Sequence, residues 1–190
     1  YGGYRAFSGA ENAQLHSRLG WRGERDDVRL SLAAVRYDAD NPGSLTEQLL
    51  AENRFQAFVN NQRQRTGEEG SQGQVGLTWR RATGGGEWEL TGYGISREVD
   101  NPIPASIVVL DRRVGGVHAL YRRITALSPL GLRWTAGVDA DLQRDHRENF
   151  ANLTGERGTL TLDQDERVSN LAGFAQLSTS SGSRLGLLAG

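Results

Sequence analysis

Residues 131–143 read Gly-Leu-Arg-Trp-Thr-Ala-Gly-Val-Asp-Ala-Asp-Leu-Gln, and the fold turns on how they alternate. Leu132, Trp134, Ala136, Val138, Ala140 and Leu142 fall on one side of an extended chain; Arg133, Thr135, Gly137, Asp139, Asp141 and Gln143 fall on the other. Period-two alternation over this length specifies a strand with one apolar and one polar face. The pattern recurs outward from here. Residues 12–23 set Ala13, Leu15, Leu19 and Trp21 against Gln14, His16, Arg18 and Arg22; residues 27–38 set Val28, Leu30 and Leu32 against Arg29, Ser31 and Tyr37. Residues 72–81 set Val75, Leu77 and Trp79 against Gln74, Thr78 and Arg80. Weaker strands are predicted over 87–97, 113–123 and 168–178, and a last one from Arg184. In the first of these the apolar face thins to Gly92 and Gly94, where a bulge is expected.

Alternation admits two architectures. A soluble sandwich buries the apolar face in a core, and a membrane barrel turns it to lipid. The connections favour the barrel. Short ones at Glu24–Asp26, Ala82–Gly86, Ile124–Pro129 and Thr179–Ser183 alternate with long ones near 39–71, 98–112 and 144–167. Long loops gathered at one end of an up-and-down sheet are the outer-membrane pattern. Trp21, Trp79, Trp88, Tyr121 and Trp134 all lie near the short turns, as an aromatic girdle at one membrane rim would. The expected fold is therefore all-β: a partial antiparallel up-and-down transmembrane β-barrel, about eight strands of a larger one.

Composition agrees. The chain has 190 residues, 37% of them apolar, with 25 glycines and 4 prolines. Its mean hydropathy is −0.54. No apolar run approaches the ~20 residues of a membrane helix, which excludes a helical membrane protein. The net charge of −1 gives no basic excess for nucleic acid. All 22 basic residues are Arg, which suits forked anion binding and is equally what a base-composition bias produces. Cysteine is absent, which removes disulfides, thiolate chemistry and Cys-ligated metal. With no Met and no signal peptide, the chain reads as an internal piece of a longer protein.

No catalytic constellation emerges. His16, His118 and His146 form no ligand pair at metal spacing. Gly84-Gly85-Gly86 lacks the Gly-Lys-Ser/Thr of a phosphate loop. In Asp38-Ala39-Asp40-Asn41-Pro42-Gly43, Pro42 stands where a calcium loop needs an oxygen ligand, so the segment reads as a turn. Asp163–Glu166 reads as a solvated loop tip. Ser44-Leu45-Thr46-Glu47 reads as a capping box opening a short loop helix.

Arg18, Arg29, Arg80, Arg97, Arg112, Arg122 and Arg133 share the polar face with Glu89, Asp139 and Asp141. Most suit a network of paired charges lining a wide lumen. Those near the long-loop rim suit an anionic ligand: Tyr37, Arg97, Arg112, Asp141 and Gln143, with Arg63, Arg65, His146 and Arg147 in loops above.

Several stretches resemble the barrel of TonB-dependent outer-membrane receptors. Gly3-Tyr4-Arg5 followed by Leu15…Arg18-Leu19-Gly20-Trp21 is similar to an early barrel segment. Asp40-Asn41-Pro42-Gly43-Ser44-Leu45-Thr46, then Asn53-Arg54 and Thr66-Gly67-Glu68, resembles the long loop of ferric-chelate members, notably ferric-citrate receptors. Leu171-Ala172-Gly173-Phe174-Ala175-Gln176…Leu185-Gly186-Leu187-Leu188-Ala189-Gly190 is similar to later paired strands. The resemblance implies a plugged barrel of about 22 strands in the bacterial outer membrane. It implies binding of a ferric siderophore or ferric citrate, with TonB-energised uptake. Iron then arrives as a chelated ligand, and no cofactor is expected. Residues 1–190 would be a partial barrel domain, with the plug that contacts the TonB complex outside this chain. A passive porin and a soluble all-β binding module are the alternatives.

Overall fold

The computed structural model describes residues 2–127, 130–181 and 185–190. Eight strands run in chain order: β1 (Ala10–Arg22), β2 (Asp26–Asp40), β3 (Gly67–Thr83), β4 (Gly86–Ile103), β5 (Ser106–Leu127), β6 (Leu130–Leu153), β7 (Glu156–Ser181) and β8 (Leu185–Ala189). Each pairs antiparallel with the next, giving one meandering sheet in the order β1-β2-β3-β4-β5-β6-β7-β8. Among the described residues no second sheet covers the apolar face, which argues against the sandwich.

Register carries the face assignment across the whole sheet, because directly opposed residues point the same way. Asp139 of β6 lies opposite His118 of β5, which lies opposite Thr91 of β4, then Thr78 of β3, then Arg29 of β2. All are on the polar face, as the alternation predicts. Val138 leads in the same way through Ala119, Leu90 and Trp79 to Val28 and Trp21 on the apolar face. Leu171 on that face is 82% exposed and Leu15 65%. Leucines exposed at this density mark a surface made to be covered, by a membrane or by another apolar surface.

Gly92 and Gly94 sit in a continuous β3–β4 register, so the expected bulge is not there. The register shifts instead near Asn149 and Phe150, high on the β6–β7 hairpin.

Two of the three long connections are strand rather than loop. β4 and β5 continue to a two-residue turn, with Ile103 opposite Ser106. β6 and β7 continue until Leu153 pairs with Glu156. Thr154 (φ 58°) and Gly155 (φ 95°) form that tip, the pair of left-handed residues that a primed hairpin turn requires. Alternation fails in these extensions because neither face keeps one polarity: Ile107, Val108, Val109 and Leu110 are apolar on both faces while the β6–β7 extension is mostly polar on both, so the periodic signal vanishes while the backbone pairing persists. Of the expected short turns, β5 extends through Leu127 and β7 through Ser181; Ser128, Pro129 and residues 182–184, Arg184 among them, lie outside the described residues.

The third long connection, 41–66, is a true loop. It carries α1 (Glu47–Glu52) and α2 (Val59–Arg63). The α1 cap is Thr46 rather than Ser44, its hydroxyl accepting from Leu49 N at 3.3 Å. The loop is bolted down by polar contacts. Thr66, 1% exposed, donates to Asn41 O at 2.8 Å and accepts from Asn61 Nδ2 at 2.9 Å. Gly43 (φ +69°) lies so close to Asn61 that a Cβ would stand 2.5 Å from its amide carbon. Arg5 donates to Gln56 O at 2.9 Å, Gly43 O at 2.7 Å and Pro42 O at 3.3 Å. From the other side, Asn152 Nδ2 donates to Gln64 O and Ile103 O, both at 2.9 Å. The loop is thereby a fixed cap joined to the β4–β5 and β6–β7 hairpins.

Candidate functional site

The six residues singled out for ligand binding all lie on the polar face. Tyr37 of β2 extends across Gly70 of β3, where a Cβ would come within 2.7 Å of the phenol oxygen. Glycine there lets the ring lie along the wall. The Tyr37 hydroxyl donates to Glu68 Oε1 at 2.5 Å and accepts from Arg97 at 3.4 Å. Arg97 has no carboxylate partner among the described residues. It also faces Arg112 directly across β4 and β5. Two opposed cations repel unless a counter-charge is supplied.

Arg112 has one. Its guanidinium grips Asp145 with a fork, Nε to Oδ1 at 3.0 Å and the terminal nitrogen to Oδ2 at 2.6 Å. The Asp145 side chain is 3% exposed, and Gln143 Nε2 adds a bond to Oδ2 at 2.9 Å. Hydrogen bonding from Arg112 holds the Asp145 carboxyl below the usual carboxylate range, against burial that pushes it up. Arg112 and Gln143 are thus committed to Asp145, and of the opposed pair it is Arg97 that is left available.

Asp141 sits four residues from Asp145 along β6. It accepts from the Tyr93 hydroxyl at 2.6 Å and from Asn170 Nδ2 at 3.2 Å. Gly116 makes this possible, since a Cβ there would stand 2.2 Å from Asp141 Oδ1. Arg147 belongs to β6 rather than to a loop; it donates to Asn149 Oδ1 at 3.3 Å and has no carboxylate partner among the described residues.

Of the residues expected in loops above the mouth, Arg63 and Arg65 lie in the 41–66 loop and His146 does not. His146 is on β6 but on the opposite face, where Nδ1 meets Asp165 Oδ1 at 2.9 Å. Arg63 bonds Asn60 within α2, and Arg65 reaches Glu156 beside the β6–β7 turn at 3.7 Å. Asp163–Glu166 is strand, not loop tip, so its carboxylates divide between the two faces. Asn152 was legible only as part of an Asn-Leu-Thr tripeptide, and no sequence signal marked it as the residue joining cap to hairpins.

Lower on the polar face the charges pair among themselves. Arg80 bonds Glu89 at 2.6 Å, Arg122 bonds the same carboxylate at 3.2 Å, and His118 bonds Asp139. At the short-turn end of the apolar face, the Trp88, Tyr121 and Trp134 rings follow one another at 4.7 and 5.2 Å. Trp79 donates its indole N–H to Asp26 at 2.9 Å.

The architecture, one antiparallel up-and-down sheet, has counterparts among solved structures. The crystal structure of the unliganded ferric citrate transporter FecA superposes with a TM-score of 0.71 at 17% identity, over 92% of this chain. That of BauA, the ferric preacinetobactin receptor from Acinetobacter baumannii, superposes with a TM-score of 0.64 at 8% identity, over 93% of this chain. The chain spans 27% and 31% of their lengths. No family model matches the sequence, and no curated protein sequence does. The fold is therefore an all-β up-and-down barrel segment related to these receptors.

Proposed function

We propose that this chain forms part of the barrel of a bacterial outer-membrane receptor that binds a ferric chelate outside the cell and imports it with TonB-supplied energy. The observation that carries the membrane placement is the constant height of the uncharged band on the apolar face. Ten positions separate Glu11 from Trp21, Glu69 from Trp79, Trp88 from Glu98 and Trp134 from Arg144. Each interval matches the 9–11 residues of a tilted membrane strand.

The two borders also run parallel across the sheet. Trp21 and Trp79 share a row, and so do Glu11 and Glu69, so neither border slips between β1 and β3. The row through Trp79 crosses β6 at Val138, four residues from Trp134. The row through Glu69 crosses β6 at Glu148, again four residues from Arg144. Both borders slip by the same amount between β3 and β6, as a band of constant height on slanted strands does.

Within that frame, Tyr37, Arg97, Arg112, Asp141, Gln143 and Arg147 face the lumen near the outer mouth. Arg97 and Arg147 supply the cations for an anionic chelate such as ferric citrate or a ferric siderophore, and Arg112 acts through Asp145 to hold the wall in place. No residue of the chain is assigned a catalytic role, and iron enters as part of the ligand. The plug and its TonB contact belong to the rest of the receptor.

The test is calorimetric titration of the full reading frame in detergent with ferric citrate and a panel of ferric siderophores. Binding that weakens at least tenfold in Arg97→Ala with Arg147→Ala, with the barrel intact by circular dichroism, supports the reading. No binding to any chelate, together with steady ion conductance in planar bilayers, replaces it with a passive channel.

A further inference from the structure

Three arginines stand side by side where the apolar band ends. Arg113 of β5 lies directly opposite Arg144 of β6, and Arg144 lies directly opposite Arg167 of β7. All three are on the face that carries Val117, Val138 and Leu171, and all three are exposed. Strand spacing places the outer two Cα atoms about 10 Å apart. Arg113 touches Asp111 at 3.3 Å, an exposed contact; Arg144 and Arg167 have no acidic partner among the described residues. Like charges directly opposed destabilise a sheet. The other end of this row runs through Ser96, Gly73, Ala34 and Leu15, so the charge is concentrated on three adjacent strands.

The neighbouring rows define what sits against it. Towards the short turns lie Gly115, Leu142 and Ser169, with Val117, Ala140 and Leu171 beyond, a surface for acyl chains. Away from the membrane lie Asp111, His146 and Asp165, with Glu98 opposite Asp111. Those carboxylates repel an anion approaching from bulk water and leave the arginine row as the anion-attracting level at the border.

We propose that Arg113, Arg144 and Arg167 form a binding site for the phosphate headgroup of an anionic membrane lipid, in the leaflet next to the long-loop end. The guanidinium forks take phosphate oxygens in bidentate fashion. The acyl chains run down the apolar strands below. The site is on the outside of the wall and separate from the mouth. It rests on the membrane placement given above.

The test uses the full reading frame reconstituted in phosphatidylcholine nanodiscs, with and without 10 mol% phosphatidic acid as the phosphomonoester probe, scored by thermal unfolding and by native mass spectrometry of retained lipid. Wild type is expected to retain one or more phosphatidic acid molecules and to gain several degrees in midpoint. R113Q/R144Q/R167Q is expected to lose both effects while inserting normally. Inorganic phosphate at matched concentration is expected to do neither, because it lacks the chains. Equal retention by wild type and triple variant overturns the site. So does full stabilisation by inorganic phosphate alone. If neither protein enters nanodiscs of any composition, the membrane placement itself has failed, which is a different result from insertion without retention.

Discussion

Leu171 and Ala172 are adjacent on β7, both exposed, and point to opposite faces. Leu171 lies opposite Ala140 on the apolar face; Ala172 lies opposite Asp139 on the polar face. Neither position has packing neighbours that an arginine would crush, so the two substitutions differ in the solvent the charge meets. Leu171 is four positions from the charged border at Arg167 and six from the level of Leu177, which places it near mid-membrane. Arginine facing lipid at that depth costs about 2–4 kcal/mol. Losing the leucine from lipid adds about 1–2 kcal/mol. Leu171→Arg should therefore destabilise the full reading frame by about 3–6 kcal/mol. Ala172→Arg gains a facing carboxylate and should change stability by less than about 1 kcal/mol. The assay is equilibrium urea unfolding of the full reading frame into and out of lipid vesicles, with electrophoretic mobility as readout. A cost for Ala172→Arg equal to that for Leu171→Arg refutes the assignment of lipid and lumen faces for β7, and with it the register argument for the sheet.

Three further outcomes are expected. Asn152, 8% exposed, donates two hydrogen bonds and accepts a third from Gly155 N at 2.7 Å. Asn152→Ala should cost about 2–3 kcal/mol, localised to the cap, so that limited proteolysis cuts within 41–66 while the strands stay protected; an uncut loop counts against the cap. Arg112→Ala leaves the Asp145 carboxylate shielded and without its fork, and should cost about 2–3 kcal/mol, of which Asp145→Asn in the same chain recovers part; additive losses in the double variant refute the coupling. His146 is held above its ordinary value chiefly by its hydrogen bond to Asp165, with Asp163 and Glu148 adding attraction. That contribution is complete below the unfolded-state pKa of about 6.5 and fades as pH rises through the raised native value. The histidine ring titration followed by NMR should drop in Asp165→Asn, and an unmoved titration refutes the pairing.

The part of this fold between the charged borders was legible because an uncharged apolar face constrains every second residue. Where that constraint stops, so did the reading. Val99, Val109 and Leu110 mix with Asp100, Asp111 and Arg113 in no simple period, because some side chains there are covered by the cap and hairpins, such as Ile107 and Asn152, and others are open to water. Their pairing is held by backbone ladders that leave no trace in side-chain polarity. Of the Thr154-Gly155 tip only the glycine left a trace, because a β-branched threonine disfavours the left-handed region it adopts here, and the pair lay inside a stretch too polar to read as strand. The face of each candidate site residue was legible from alternation. Which arginines are spoken for was not, because the Arg112–Asp145 fork joins residues 33 apart across two strands. His146 was misplaced for the same reason as its segment: read as loop, it had no face.

The cap over residues 41–66 has a kinetic meaning. Its fastenings come from Arg5, from Asn61 and Thr66 within the loop, and from Asn152 on a hairpin 88 residues beyond Gln64. Contacts of that sequence separation form late, after the loop entropy between them has been overcome. The fastening through Asn152 cannot form until β6 and β7 have met. Protection of the amides in 41–66 from exchange is then a timer for assembly: it should appear in a step slower than strand pairing, and an arrested barrel should carry this segment open.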